Sequence, residues 1–588
     1  MCGIFAYVGH RDDAANIVLK GLKTLEYRGY DSWGIAVKKG DKLDTEKHTG
    51  KIGQASTILP NSNLGIGHTR WATHGGVTNE NAHPHLDCTK QIALIHNGII
   101  ENFLELRNEL IKKGHKFLSE TDTEVAVHLI EENLKTENFP TAVRNAFNSL
   151  HGMNAIVVVN SASSEVIAAK NGSPLVVGVG KDEYFIASDA AGILQYTKDV
   201  LFLEDHHMVI LGKELKLLKL DSGKEVKAKI ETIKWTFEDA ELGKYEHFFI
   251  KEIHEEPKII RNIALNGISS AKTLAHLIDE ATGTFLIACG SASYAATAAT
   301  YLFSKVAKKH VNFAVGSEFK YIEDFIIPQT LVIPISQSGE SIDVIEPTSK
   351  AKKEKGAKIA SIVNVLGSTL YRLSDFNFLL ETGPEKAVVA TKSFSAMIAA
   401  VLLTSYALAD KAKKGQDLLT KAAENVAKIL GETYIDMVKE VAEKLKNKEH
   451  IYIIGRGVSY TAALEATLKI KEATYIHAEA FPGGELKHGV IALIEKGTPC
   501  IVFAPNDETY EEIVSNAQEI KARGGHIIGI GPINNEVFDD FLETDDIEEA
   551  TLLPHVTVAH LLGYYLALAK GNNDPDKPRN LAKSVTVK

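Results

Sequence analysis

The residue with the most chemistry available to it is Cys2, directly behind the initiator methionine in Met1-Cys2-Gly3-Ile4-Phe5. A methionine followed by so small a side chain is normally trimmed, which leaves Cys2 as the mature N-terminus. Its thiol, with an unperturbed pKa of about 8.5, then shares a residue with an α-amine of pKa about 8. The amine can take the thiol proton, directly or through one water, so no separate histidine is needed as base. The plainer reading makes Cys2 a small buried residue beginning a strand.

A thiolate attacking an amide carbonyl makes an oxyanion. A side-chain amide and the N–H of a following glycine can hold it, each donor worth about 3 kcal/mol. Asn97 and Gly98, at the end of the apolar run Ile92 to His96, are such a pair, although Asn-Gly alone also reads as a hairpin turn. An amino acid substrate needs a bidentate cation for its carboxylate and an acceptor for its amine. Arg70, in Gly67-His68-Thr69-Arg70-Trp71-Ala72-Thr73-His74-Gly75, suits the first, and Asp122 the second. Asp122 also reads as part of a helix N-cap, with Thr121 as the other capping candidate and Glu124 in the first turn.

The second half carries different chemistry. Leu331-Val332-Ile333-Pro334-Ile335 is a buried-strand pattern that runs into Ser336-Gln337-Ser338-Gly339-Glu340-Ser341. Hydroxyls and free N–H groups at a helix start make a pocket for a phosphate monoester. A similar turn offers Ser291 and Ser293. One such turn is an ordinary N-cap; two at neighbouring strand ends favour a shared ligand site. Neither is a nucleotide-binding loop. Further on, Glu465, Lys469 and Glu472 fall on one face of a predicted helix. They form either a solvated face with a Glu–Lys pair worth ~0.3 kcal/mol or a buried proton shuttle between adjacent carbons. A Gly-rich loop follows with an ionisable tip at Glu485-Leu486-Lys487-His488. Lys583 lies close to the C-terminus, where a lysine is ordinarily solvated and frayed.

These groups need a scaffold of several domains, and 588 residues, 45% of them hydrophobic, supply one. No apolar run reaches the ~18 residues of a membrane span. Four scattered cysteines show neither a disulfide framework nor metal-ligand spacing, and the chain reads as cytoplasmic. A net charge of −11 argues against nucleic-acid binding. Up to about residue 225 short apolar strands recur between turn signals, at 33–37, 92–95, 155–159, 165–169, 175–179, 184–187 and 215–220. Helical patterns sit at 13–26, 101–113 and 121–135. This predicts stacked sheets covered by helices, an α+β domain over 2–225. A polar stretch over 226–257 reads as a linker. From there strands at 284–288, 330–335, 358–363, 450–454, 499–504 and 526–530 alternate with helices, the grammar of doubly wound α/β domains. Ile287 to Tyr294 and Ile453 to Tyr460 superpose at an offset of 166 residues, which points to duplication. The predicted boundaries are 258–420, 421–570 and a tail at 571–588.

The opening Cys-Gly-Ile, Leu25 to Ser32, Gly67 to Gly75, Asn81-Ala82-His83-Pro84-His85, His96 to Asn102 and Ser119 to Glu124 together resemble the glutaminase domain of class II amidotransferases. These are N-terminal-nucleophile hydrolases with stacked antiparallel sheets in an αββα sandwich. That resemblance implies Cys2 as nucleophile, Asn97 and Gly98 as oxyanion hole, and Arg70, Thr73, His74 and Asp122 as glutamine ligands. Trp71 would sit in a mobile loop that covers glutamine and gates ammonia. Ser336 to Ser341, Leu464 to Glu472, Tyr475 to Ala480, Gly484 to Gly489 and Arg579 to Val587 resemble the isomerising amidotransferases that carry two sugar isomerase (SIS) domains.

The second resemblance implies a Schiff base from Lys583 to C2 of the ketose, proton transfer by Glu472 with help from Lys469, and ring opening by His488 of a neighbouring subunit. Ser291, Ser336, Gln337, Ser338 and Ser341 would hold the phosphate and Val388 would line the sugar. Ala292 and Ala390 stand where serines are common in that family, and Ser341 where threonine is. The implied reaction takes L-glutamine and fructose 6-phosphate to glucosamine 6-phosphate and glutamate, the first step toward UDP-N-acetylglucosamine. It implies an ammonia channel, a homodimer or higher homo-oligomer, no metal and no cofactor, since Lys583 does the Schiff-base work. A fructosamine-phosphate deglycase or deaminase would leave the glutaminase half idle. A non-catalytic sugar-phosphate sensor would not need Cys2, Glu472 and Lys583. Other glutamine-fed synthases would need an ATP-pyrophosphatase loop or a phosphoribosyl-diphosphate motif, and neither is visible.

Overall fold

The computed structural model describes residues 2–233 and 241–585. The removal of Met1, the middle of the expected linker and the last three residues of the tail lie outside the described residues. The chain forms two compact units, Met1–Glu241 together with Ala582–Lys588, and Leu242–Leu581.

In the first unit, the strand Gly3–Val8 is buried along its whole length. Its side chains alternate between two cores, as a pleated strand requires. Ile4, Ala6 and Val8 face a layer that also holds Ala93, Ile95, Val157 and Val177. Phe5 and Tyr7 face the helix Ala14–Leu25, through Val18 and Leu22. Gly3–Val8 lies in an eight-stranded antiparallel sheet between Tyr184–Ala187 and Leu64–Arg70. A seven-stranded sheet carries Ile92–Gly98 between Asn154–Asn160 and the short strand His85–Leu86. Its outer face is covered by the helices Glu124–Asn133 and Phe139–Asn148. The result is the αββα sandwich expected of an N-terminal-nucleophile hydrolase.

The second unit holds two five-stranded parallel sheets. One runs in the order Asn312–Val315, Gly283–Ala288, Thr330–Ser336, Lys358–Val363, Phe376–Leu379. The other runs His477–Pro482, His450–Gly455, Pro499–Phe503, His526–Gly531, Asp540–Glu543. Both follow the order second, first, third, fourth, fifth, so the duplication read at Ile287 and Ile453 extends to topology. In each sheet the strand order reverses between the first and third strands, where doubly wound folds place their ligands.

Three expectations need correction. The linker expected over 226–257 is partly structured. Glu231–Thr232 pairs with Asp199–Phe202, and the helix Phe248–Asn266 carries Pro257 inside it and buries Phe249, Ile253 and Ile260. The boundary at 420 falls inside the helix Ala412–Ile429, whose Leu418, Leu419, Ala422 and Val426 are buried. One apolar core runs through both modules, joining Ala295 and Ile333 to Ile453 and Leu561. Finally, Glu548–Ala569 is long and apolar enough by length and composition to cross a membrane, and 83% of its apolar window is buried in the unit. A helix surrounded by core on every side is apolar all round.

Candidate active site

In the first unit, strand pairing brings the cysteine to its partners. Gly3 pairs with Thr69, and the Gly3 N–H donates to Thr69 Oγ1 at 3.0 Å, so Cys2 lies beside Arg70 and Trp71. The Trp71 N–H donates to Cys2 Sγ at 3.2 Å. Burial pushes the thiol pKa up, while the Trp71 N–H and the Arg70 charge work against that. Asn97 and Gly98 end a strand, opposite Ala155 and Asn154, and do not form a hairpin turn. The Asn97 side-chain amide donates to the Cys2 carbonyl at 2.9 Å, which puts the expected oxyanion donor next to the nucleophile. Gly98 has φ +136°, and a Cβ there would lie 2.3 Å from the Met153 carbonyl, so only glycine fits.

His68 orients Asn97, a role the sequence did not disclose although His68 lies in the quoted motif. Its Nε2 sits 3.0 Å from Asn97 Oδ1 and 2.9 Å from the His96 carbonyl, both acceptors, so Nε2 carries the hydrogen. Burial lowers the His68 pKa to about 3. His83 stacks on it at 4.1 Å and is held neutral by burial too, so this cluster positions by hydrogen bonding and packing, not by charge.

Arg70 is buried, and its guanidinium donates to the carbonyls of His74, Gly75 at 3.2 Å and Gly76 at 3.1 Å. It therefore shapes the loop that carries Thr73 and His74. Thr73 is exposed and the His74 ring lies edge-on to Phe103 at 5.7 Å. Asp31 anchors the same loop through the Ala72 N–H at 2.8 Å, and this residue too was missed as a site group. Asp122 is buried and accepts the Ile100 N–H at 2.8 Å.

In the second unit the Glu465–Lys469–Glu472 face is buried, not solvated. Lys469 Nζ lies 3.4 Å from Glu465 and 2.7 Å from Glu472, in the helix Ser459–Thr474. Glu465 and Lys469 are 0% exposed and Glu472 19%, so Glu472 alone of the three opens to a substrate. Burial disfavours both charges of the inner pair. Lys469 nevertheless holds Glu465 below the usual carboxylate range, and the two glutamates hold the Lys469 pKa up. Behind them lies a chain not legible in the sequence. His560 Nε2 is 3.3 Å from Glu465, its Nδ1 is 2.6 Å from Glu256, and Thr557 donates to Glu256 at 2.6 Å.

Burial opposes the His560 charge, but Glu256 and then Glu465 raise its pKa from 6.5 to about 9. A folded-state pKa above the unfolded one stabilises fully below about pH 6.5 and is lost as pH rises through about 9. The thermal midpoint should therefore fall across that window. His560→Ala should lower stability by ~3–5 kcal/mol, by leaving the buried Glu256 without its cationic partner, and should flatten the pH dependence. An unchanged pH profile in His560→Ala would remove the histidine from the charge balance.

The phosphate candidates gather at the reversal in the first sheet. Ser336 ends one strand and its Oγ accepts the Gly339 N–H at 3.0 Å. Ser338 Oγ accepts the Glu340 N–H at 3.1 Å. Gln337 is half-buried in this loop, and Ser341 directly precedes the helix Ile342–Lys353 without a side-chain capping bond. Ser291, which begins the helix Ser291–Ala307, donates to Glu465 at 3.1 Å, tying that turn to the helix Ser459–Thr474. Ser293 spends its hydroxyl on the Gly290 carbonyl at 2.6 Å. The Val388 N–H donates to the Asp576 carbonyl at 2.8 Å, so that segment is laced to the start of the tail. The tail is also held by Arg579, whose N–H donates to Tyr475 Oη at 3.0 Å and whose guanidinium lies over that ring. His488 ends the segment Gly483–His488 and is exposed. Lys583, half-buried, belongs to the segment grouped with the first unit.

Fold and site together define a class of protein in which a glutamine amidotransferase domain is joined to paired SIS domains. Family models of those two descriptions match residues 68–195 for the amidotransferase, and 277–406 and 444–533 for SIS. A glutamine–fructose-6-phosphate aminotransferase (isomerizing) of Thermococcus kodakarensis is 43% identical over the full length of both chains. One from Fusobacterium nucleatum, likewise matched over 100% of each, is 40% identical. The solved C-terminal domain of glucosamine-fructose-6-phosphate aminotransferase from Francisella tularensis aligns with a TM-score of 0.52 and 30% identity, over 56% of this chain and 98% of that one. The chain belongs to the isomerising glutamine–fructose-6-phosphate aminotransferases, the glucosamine-6-phosphate synthase family.

Proposed function

We propose that this enzyme converts L-glutamine and fructose 6-phosphate to glutamate and glucosamine 6-phosphate, the first step of amino-sugar synthesis. The observation that carries it is the pairing, in one chain, of a cysteine beside an oriented amide donor with a buried Glu–Lys–Glu helix next to a phosphate turn. Full-length relatives carry the matching name.

The Cys2 thiol gives its proton to the α-amine and attacks the glutamine carboxamide, with Asn97 and Gly98 donating to the oxyanion. Ammonia leaves, and water hydrolyses the thioester to glutamate. Arg70, Thr73, His74 and Asp122 hold the amino acid end. The ammonia passes through the interior to the SIS modules. There Lys583 condenses with the C2 carbonyl of the open ketose and releases water, and ammonia displaces the lysine from C2. Glu472, assisted by Lys469, then moves a proton from C1 to C2, leaving an aldose with an amino group at C2. Ser291, Ser336, Gln337, Ser338 and Ser341 bind the phosphate, with Val388 against the sugar. His488 opens the ring from a neighbouring subunit. Its exposure within one chain supports that reading, and it makes the enzyme a dimer at least. All four cysteines are free thiols, in keeping with a cytoplasmic enzyme.

The purified chain, given both substrates, should form glutamate and glucosamine 6-phosphate one to one. Trp71 is half-buried directly after the glutamine-site arginine. If it gates ammonia, Trp71→Ala should still hydrolyse glutamine while glutamate exceeds amino sugar severalfold. A preserved one-to-one ratio would take Trp71 out of the gate, and no amino sugar from the wild type would overturn the proposed function.

A further inference from the structure

On the helical side of the first unit, four side chains from three separate segments converge although nothing in the reaction uses them. Cys88 lies in the turn between the strands His85–Leu86 and Ile92–Gly98. His115 follows the helix Phe103–Lys112, and His128 and Glu131 sit one turn apart on the helix Glu124–Asn133. Cys88 Sγ, one nitrogen of each histidine and one oxygen of Glu131 all lie within 4.8 Å of one another. Sγ is 3.9 Å from His115 Nδ1 and 3.7 Å from His128 Nδ1. Both nitrogens are 2.9 Å from the same oxygen, Glu131 Oε2.

We propose that Cys88, His115, His128 and Glu131 form a structural zinc site, with Sγ, both Nδ1 atoms and Oε2 as ligands. Tetrahedral zinc, with Zn–S of about 2.3 Å and Zn–N or Zn–O of about 2.0–2.1 Å, sets S···N near ~3.5 Å and N···O near ~3.4 Å. The two S···N and two N···O separations lie within about half an ångström of those values. One thiolate, two imidazoles and one carboxylate are a ligand set that suits zinc, and hard cations such as magnesium prefer all-oxygen ligands. Four protein ligands leave no open position, so the site holds structure and does no chemistry.

The surroundings support it. Metal-bound histidines characteristically give their other nitrogen to a carboxylate. His115 Nε2 does so, 2.9 Å from Glu132, whereas His128 Nε2, 3.6 Å from Glu124, stops short of hydrogen-bond distance. Glu124 is itself fixed by the Leu118 N–H at 2.8 Å and the Ser119 N–H at 2.7 Å. The Lys116 N–H donates to Cys88 Sγ at 3.4 Å, a contact that favours a thiolate. Both histidines are buried while Cys88 is exposed, which leaves the ion a route in from solvent. Binding releases the Cys88 proton, and any second proton on either imidazole, to solvent, with no change of oxidation state. The ion would fasten a turn, a loop and a helix that starts two residues after Asp122, bracing the glutamine pocket from behind. The sequence did not show this set because only His128 and Glu131 are close in the chain.

The test uses the full chain, reduced and stripped with chelator, then titrated with cobalt(II) and separately with zinc(II). One equivalent of cobalt should bind with tetrahedral visible bands and a thiolate-to-cobalt charge-transfer band, and zinc should displace it and raise the melting temperature. Cys88→Ser should lose the charge-transfer band and the zinc-induced shift. Glu132→Gln, which leaves the ligands in place, should weaken zinc by ~10–100-fold. Should Cys88→Ser fold poorly, the wild-type titration decides alone. A wild type without a tetrahedral cobalt equivalent, or a charge-transfer band that survives in Cys88→Ser, overturns the site.

Discussion

Cys2→Ala should abolish glutamine-dependent amino-sugar formation, a loss of about 10⁴-fold or more if Cys2 is the covalent nucleophile. Conversion of fructose 6-phosphate to glucose 6-phosphate by the same variant should continue at the wild-type rate. The separation follows from where the groups sit. Cys2 is held by Trp71 and Asn97, both in the first unit, whereas Glu465, Lys469 and Glu472 belong to the second. Alanine at position 2 removes the sulfur and leaves the Gly3–Val8 strand pairing untouched. The oxyanion donors, still in place, can speed only a water attack, which is slow without the thiolate. Retention of Met1 should have the same effect, because the proposed base is the α-amine of residue 2 itself. The measurement is glutamate and glucosamine 6-phosphate from glutamine alongside isomerase activity, with the intact mass confirming the N-terminus. Normal synthesis by Cys2→Ala would rule out the nucleophile, and joint loss of both activities would show that the two halves are not independent.

How much of this was legible in the sequence depended on burial. The central parallel strands, such as Thr330–Ser336 and Pro499–Phe503, are covered on both faces and read as unbroken apolar runs. The edge strands Phe376–Leu379, His477–Pro482 and Asp540–Glu543 are half-exposed, and the sequence pattern missed them. Lys42–Thr49, at the rim of the eight-stranded sheet, was missed for the same reason, since its Lys, Asp and Glu suit a solvated edge. In the site, the hairpin-turn alternative for Asn97–Gly98 stayed open because the strand partner Asn154–Asn160 is distant in sequence. The link from Glu465 through His560 to Glu256 could not be read from the sequence. Each member is an ordinary polar residue on its own helix, and only the packing of three helices around one core makes it a charge network. Motifs show what touches the substrate; the groups behind them appear only with the fold.

The C-terminal lysine is the site residue with the plainest local sequence, and its replacement should be nearly as costly as that of Cys2. Lys583→Arg should lose amino-sugar synthesis by several orders of magnitude while folding and glutamine hydrolysis persist. Arginine keeps the charge and the length but stays protonated and is no nucleophile, so any role resting on charge alone would survive the exchange. The tail is held short of this point. Arg579 is bonded to Tyr475, which follows the Glu472 helix directly, and Asn572 donates to the Ala473 carbonyl at 2.9 Å. A merely frayed end would need neither anchor. Borohydride added with fructose 6-phosphate should trap a covalent adduct on the wild type, and peptide mapping should place it between Ala582 and Ser584. Lys469 is the competing amine. Burial opposes its charge, but its two carboxylate partners outweigh that and keep the ammonium protonated, which withholds the lone pair a Schiff base requires. An adduct mapped to Lys469, or full activity in Lys583→Arg, would move the covalent chemistry onto the Ser459–Thr474 helix and leave the tail as a strap.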